Sequence, residues 1–233
     1  MIVGIQQPNY IPWLGYFYKI YKSDLFVLLD DAQFPKESPA ARNFIKAKDG
    51  SKILLTVSVK KSKGAYQNYN ELELEYSSKW NTKHLNHIKD SYVKAPFFKE
   101  YFPIFEILIK EPAKNLAELN TRIILKTLEL LQINTKIEIA SSINNLELGT
   151  KNNRNLNITL YYKGNKYLSG KGAQSYNDAE LFNANNVELI YSDYKATDYP
   201  QLHGEFIPNL SFLDSLFNIG AEGVSNLLKQ NNQ

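Results

Sequence analysis

Hydrophobic positions along the chain fall into short runs of two kinds, continuous and helically spaced. Ile2-Val3-Gly4-Ile5 is a β-branched run halted by Gln6-Gln7-Pro8, which predicts a buried strand ending before the proline. From Trp13 to Tyr21 the apolar residues sit at positions 13, 16, 17, 20 and 21, one face of a helix. Leu25 to Leu29 is continuously apolar and closes in Asp30-Asp31, the pattern of a strand buried on both faces in a parallel sheet. These segments predict strand, helix, strand, a βαβ unit with a tight first loop.

The pattern then changes. Residues 43–48 and 53–59 flank Asp49-Gly50, a strong hairpin signal, and residues 60–70 are polar and read as a mobile loop. Trp80, His84, Ile88 and Tyr92 recur every four residues up to Pro96, predicting a helix. Two more amphipathic helices are predicted at 97–109 and 116–131, separated by Pro112. Residues 135–139 alternate as a strand, whereas 156–161 suit either helix or strand. Lys166-Tyr167-Leu168 and residues 187–191 read as further strands, and 212–228 as one or two closing helices containing Gly220 and Gly223. The whole reads as α/β with a mainly parallel sheet, a β-hairpin excursion and a helical middle segment. It is taken as one domain over 1–233, with 76–132 as a helical insert or flank.

Composition narrows the function classes. The 233 residues are 43% hydrophobic and 22% charged, a globular balance with enough apolar surface for a core. Twenty-seven Lys and Arg against 24 Asp and Glu leave a net charge of +3, too even for a typical duplex nucleic-acid binder. There is no cysteine, which excludes disulfides, thiolate metal sites and a cysteine nucleophile. No signal-peptide pattern and no apolar run of membrane-spanning length is evident, so a cytoplasmic protein without membrane insertion is expected. The sequence does not specify an oligomeric state.

Candidate chemistry gathers at the expected strand ends, where open α/β sheets bind ligands. The first loop supplies Gln7, Pro8, Asn9, Tyr10, Trp13 and Gly15, with amides, aromatic rings and a helix start suited to an anion. It lacks a G-x-G-x-x-G fingerprint. Asp30 and Asp31, followed by Gln33, close the second strand; paired carboxylates there suit Mg²⁺, a ribose or general-base work on an amine. Arg42 and Asn43 lead into the hairpin and Lys60 leaves it, and a guanidinium is suited to phosphate or carboxylate. Lys61 and Lys63 read as solvated charges. Ser169 and Gly170 begin a Ser-Gly-Lys-Gly turn able to present backbone N–H groups to phosphate, although a plain turn explains it as well. His84 and His87 are three residues apart without an evident third ligand, so zinc is not expected. His84 is a candidate general base, with a hydrogen-bonded interface role as the simpler account. Asp214 is either a ligand contact or a first-turn acid behind a Ser211 cap.

Several blocks together resemble the WbqC-like family: QPNYIPWLGYF, LLDDAQF, the ARNFIK and LLTVSVKK hairpin, the helix running into KAPFF, YLSG, and LSFLDSLFNIG. The segment from Glu37 to Ala41 departs from the family pattern. The resemblance implies a protein of O-antigen or other surface polysaccharide clusters, with a suggested glycyl or aminoacyl transferase role. On this reading Gln7, Asn9 and Tyr10 contact a nucleotide-linked amino sugar, Arg42 takes diphosphate charge, and Asp30 or Asp31 frees the amine. The acyl group comes directly from a thioester, an aminoacyl ester or an adenylate. The opening residues are also similar to class I nucleotidyltransferases and pantothenate synthetases, which implies a Rossmann-like core. Trp13-Leu14-Gly15-Tyr16 stands where those enzymes carry H-x-G-H, so their adenylyl transfer is not implied. The alternatives are an ATP-dependent ligase or nucleotidyltransferase using Mg²⁺ at Asp30 and Asp31, and a non-catalytic sugar-nucleotide-binding protein.

Overall fold

The computed structural model describes residues 1–34, 38, 40–60, 67–143 and 149–231. Lys61 and Lys63 lie outside the described residues, as do parts of the expected 60–70 loop and of the polar stretch after Ile143. Chain order runs β1 (Ile2–Gln6), α1 (Leu14–Tyr21), β2 (Leu25–Leu28), β3 (Arg42–Lys46), β4 (Lys52–Thr56) and α2 (Trp80–Tyr92). It continues through α3 (Phe98–Lys110), α4 (Leu116–Leu130), β5 (Lys136–Ile139), α5 (Lys151–Tyr161), β6 (Lys166–Gly170), α6 (Ala179–Ala184), β7 (Glu188–Ser192) and α7 (Phe212–Gln230).

The protein is α/β: a five-stranded parallel sheet in the order β5-β2-β1-β6-β7, with β3 and β4 paired antiparallel beside it. Winding proceeds outward from β1 through β2 to β5, then returns to place β6 on the other side of β1. This reversal makes a crevice between the C-terminal ends of β1 and β6, where open α/β sheets receive ligands. The hairpin and α2 to α4 both lie in the single β2-to-β5 connection.

The sheet is buried on both faces, as the continuous apolar runs predict. Phe26 and Leu28 point into one core with α1, the middle helices and α7, while Leu25, Val27 and Leu29 join Val3, Ile5, Leu156 and Phe182 in the other. The ambiguous 156–161 segment belongs to helix α5. Its Leu156 and Ile158 pack on the sheet, and a parallel connection from β5 to β6 requires a crossover of this kind.

Both prospects for the closing segment are partly realised. α7 is two helical stretches joined across a kink at Gly220, whose φ is 70°. A β-carbon there would come within 2.9 Å of the Phe97 ring, so the bend suits glycine for both backbone and packing reasons. The described helices include none long and apolar enough to cross a membrane.

Candidate functional site

A cavity of about 890 Å³ opens at the crevice between β1 and β6. Its walls come from the end of β1, the start of α1, the first turn of α5, the Ser169–Ala173 turn and the segment after β7. Of the candidates expected from the sequence, Gln7, Trp13, Gly15, Ser169 and Gly170 line it. Trp13 meets Tyr194 edge to face with ring centroids 5.6 Å apart. A β-carbon on Gly15 would lie 2.2 Å from the Trp13 ring, so glycine lets the indole lie against the helix start. Gly170 has open space where a β-carbon would be. Ser169 is buried, and its hydroxyl accepts from the Asn177 amide at 2.9 Å.

The rest of the first loop is placed by its backbone. Tyr16 donates its hydroxyl to the Gln7 carbonyl at 3.0 Å. Asn120 donates to the carbonyls of Pro8 and Ala40 at 2.9 and 2.6 Å, and Asn43 donates to that of Ile11 at 2.7 Å. Ile11 has φ 36°, an uncommon conformation for a β-branched residue, held where Asn43 grips it. Asn43 therefore supports the loop from outside the cavity. Asn9 is half-buried beside Tyr16. Tyr10 is fully buried, with its hydroxyl 2.9 Å from Nδ1 of His84.

His84 and Tyr10 pack with Trp80 in an aromatic cluster rather than in the cavity. Burial pushes the imidazole down to about 4, so it is neutral near neutral pH. This is the interface arrangement that the helical spacing favoured, and it gives His84 no line to the ligand crevice.

The two strand-end aspartates are also occupied. Asp30 is buried and accepts from the Ser141 backbone N–H at 2.9 Å and from its hydroxyl at 2.5 Å. Asp31 forms an ion pair with Arg154 of α5. Neither lines the cavity. The expectation that both face the crevice holds only for the strand end that carries them; the following turn directs their carboxylates to Ser141 and α5. A Mg²⁺ ligand set does not fit side chains so engaged, and no chemical step is derived through that ion.

The remaining candidates lie elsewhere. Gln33 is exposed and bridges to Asn68. Lys60 pairs with Glu73 at 2.6 Å on the surface. Arg42 is half-buried at the start of β3 and does not line the cavity. Asp214 is fully buried and accepts hydroxyl hydrogens from Tyr92 and Tyr199, each at 2.8 Å. Ser211 does cap α7, accepting from the Leu213 N–H at 3.3 Å, but Asp214 turns inward rather than serving as an exposed first-turn acid. Burial raises its carboxyl above the ordinary range, and the two tyrosine hydrogen bonds oppose that.

The cavity also holds residues that periodicity did not single out. Lys19, Lys151 and Lys171 line it together with Gln6, Asn152, Asn155 and Asn177, and among the described residues no Asp or Glu lines it. Lys171 pairs with Asp193 at the rim. Lys19 is 3% exposed, and its ammonium nitrogen lies 2.7 Å from the Ile5 carbonyl and 3.3 Å from Oε1 of Gln6. Burial pushes its pKa down to about 7. In sequence Lys19 is a polar residue between apolar helical positions, which reads as solvent-facing. Only the packing of both α1 faces buries it. A cavity lined by cations, amides and aromatic rings is chemically matched to an anionic ligand with a flat ring.

A protein of Mycobacterium tuberculosis, uncharacterized protein Rv1507c, is 34% identical over 222 residues, 94% of each chain. No solved structure matches the chain. The model of the WbqC-like protein family matches residues 7–226, from the first loop to the second half of α7. The cavity lining other than Ile5 and Gln6 falls within the matched region, and the chain belongs to the WbqC-like protein family.

Proposed function

We propose that the cavity binds a nucleotide-linked amino sugar and that the protein transfers an acyl or aminoacyl group to its amine, in the cytoplasmic stage of surface polysaccharide synthesis. The observation that carries this reading is the location and lining of the cavity. It lies at the switch between β1 and β6 and presents three lysines, several amides and aromatic walls, with no carboxylate among the described residues that line it. Lysines and turn N–H groups suit a diphosphate, while Trp13 and Tyr194 suit a base or sugar face.

The reaction joins the amine nitrogen to the acyl carbon and breaks the bond to the donor's leaving group. From an ammonium and a thioester, the products are an amide, a thiol and one released proton. Orientation of the two substrates in the crevice supplies the catalytic advantage. Asp30 and Asp31 act here by holding the strand-end turn and α5, since Ser141 and Arg154 occupy their oxygens.

A second reading, non-catalytic sugar-nucleotide binding, is favoured by the absence of Asp, Glu and His from the described residues that line the cavity. Mass spectrometry separates the two. Purified protein is incubated with nucleotide-linked amino sugars, glycine, ATP, Mg²⁺ and a glycyl thioester. A sugar product heavier by one aminoacyl group supports the transferase. Thermal stabilisation by a sugar nucleotide without product supports binding alone, and neither effect refutes both.

A further inference from the structure

Lys19 is held by an unusual set of partners for a buried cation. Its nitrogen meets one carbonyl and one amide oxygen, both uncharged, and lies 5.8 Å from the centroid of the Phe26 ring. Among the described residues, the other titratable groups lining the cavity are Lys151 and Lys171 with Tyr16, Tyr167, Tyr176 and Tyr194. Of these, Lys171 is paired with the Asp193 carboxylate. A neutral amine has two N–H groups and an ammonium has three donors. Both oxygens accept from either form, but no described carboxylate contacts the nitrogen, so the charged form is buried without a countercharge.

Burial acts in the same direction, bringing the group to about 7. A ligand oxygen carrying negative charge reverses that balance, because it supplies both the third acceptor and the countercharge.

We propose that Lys19 is a proton-linked anchor for the anionic group of the ligand, held as the neutral amine in the unliganded protein and protonated when a phosphate group enters. This rests on the sugar-nucleotide reading of the cavity. Binding then takes up a proton above neutrality and becomes tighter as pH falls toward it. The arrangement selects for the phosphorylated form of a ligand, since a neutral nucleoside provides nothing to hold the proton.

Calorimetric titration with UDP, pyrophosphate and uridine, in buffers of different ionisation enthalpy, tests the proposal. Near pH 8 the nucleotide's own phosphates, with a second ionisation near pH ~6, are fully ionised. Uptake approaching about one proton per UDP is expected in the wild type. Lys19→Arg, always charged, should bind without uptake, and Lys19→Met should bind weakly without uptake. Uridine should show none. UDP binding with no uptake, or uptake that persists in Lys19→Met, overturns the role of Lys19 while leaving the sugar-nucleotide reading intact. Failure of both UDP and pyrophosphate to bind overturns that reading and this proposal with it. The ¹³Cε shift of Lys19, assigned by its loss in Lys19→Arg, gives a ligand-free check: a midpoint at the ordinary lysine value overturns the proposal.

Discussion

The Tyr10 hydroxyl and Nδ1 of His84 meet at 2.9 Å, joining the first loop to α2 across 74 positions of sequence. The imidazole is 5% exposed and held down to about 4 from an ordinary 6.5. The unfolded chain therefore binds a proton that the folded one refuses over that interval, and stability falls as pH drops from 6.5 toward 4. The full effect is roughly 3 kcal/mol. Urea unfolding at several pH values should show this slope, and His84→Asn, which keeps an acceptor for Tyr10, should flatten it. Ligand affinity near neutral pH should be unchanged in that variant.

Asp214 gathers Tyr92 from α2 and Tyr199 from the segment before α7. Lys46 lies in the same network, donating to Oε1 of Gln201 at 3.2 Å, while Gln201 donates to the Tyr199 hydroxyl at 3.1 Å. Asp214→Ala leaves two buried hydroxyls without their acceptor and should cost about 2–4 kcal/mol. Asp214→Asn retains one acceptor oxygen and should cost less. Denaturant midpoints at constant slope would check both.

The Asp31–Arg154 pair anchors α5, whose first turn brings Asn152 and Asn155 to the cavity. Asp31→Asn should loosen that wall, so on the proposed transferase reading KM for the sugar nucleotide should rise about three- to tenfold with little change in kcat. A collapse of kcat at unchanged KM would instead make Asp31 the proton acceptor of the reaction.

Gly15→Ala should push the Trp13 indole off the cavity wall, because the added carbon would lie within 2.2 Å of the ring. UDP affinity should fall about tenfold, near 1.4 kcal/mol, with the fold retained. Calorimetry and far-ultraviolet circular dichroism on the same preparation measure the two effects.

Lys19 also imposes a pH dependence on the unliganded fold. Its pKa is lowered from 10.5 to about 7, so the unfolded chain holds the proton more tightly. Stability should rise with pH between those values and be lost as pH falls through about 7. Lys19→Met should lack this slope and melt higher than the wild type on the acidic side of neutrality.

Much of the fold was legible because its signals are local. The run from Leu25 to Leu29 is apolar at every position and is buried on both faces. Asp49-Gly50 sits in the turn between β3 and β4, where Gly50 has φ 82°. The spacing of Trp80, His84, Ile88 and Tyr92 gave α2, and all four are buried. Where local patterns were balanced, as at 156–161, the connection between parallel strands decided for helix. The candidate site was legible as a place more than as a set of side chains. Gln7, Trp13, Gly15, Ser169 and Gly170 reach the cavity because they lie at the ends of β1 and β6. Asp30, Asp31 and Asn43 also lie near strand ends, but each is claimed by a distant partner in Ser141, Arg154 or Ile11.

The sequence by itself determined the parallel α/β elements, the hairpin, the helical middle segment and the strand ends at which chemistry collects. Those features follow from residue spacing within a few turns of chain and from the restrictions of proline and glycine. Only the tertiary structure decided that β6 pairs with β1, creating the crevice, and that Lys19 is sealed beneath it. The pairing of strands so far apart and the burial of a helical lysine depend on surfaces that meet only after the chain has closed. No local pattern of hydrophobicity encodes the dielectric or the partners a side chain finds there.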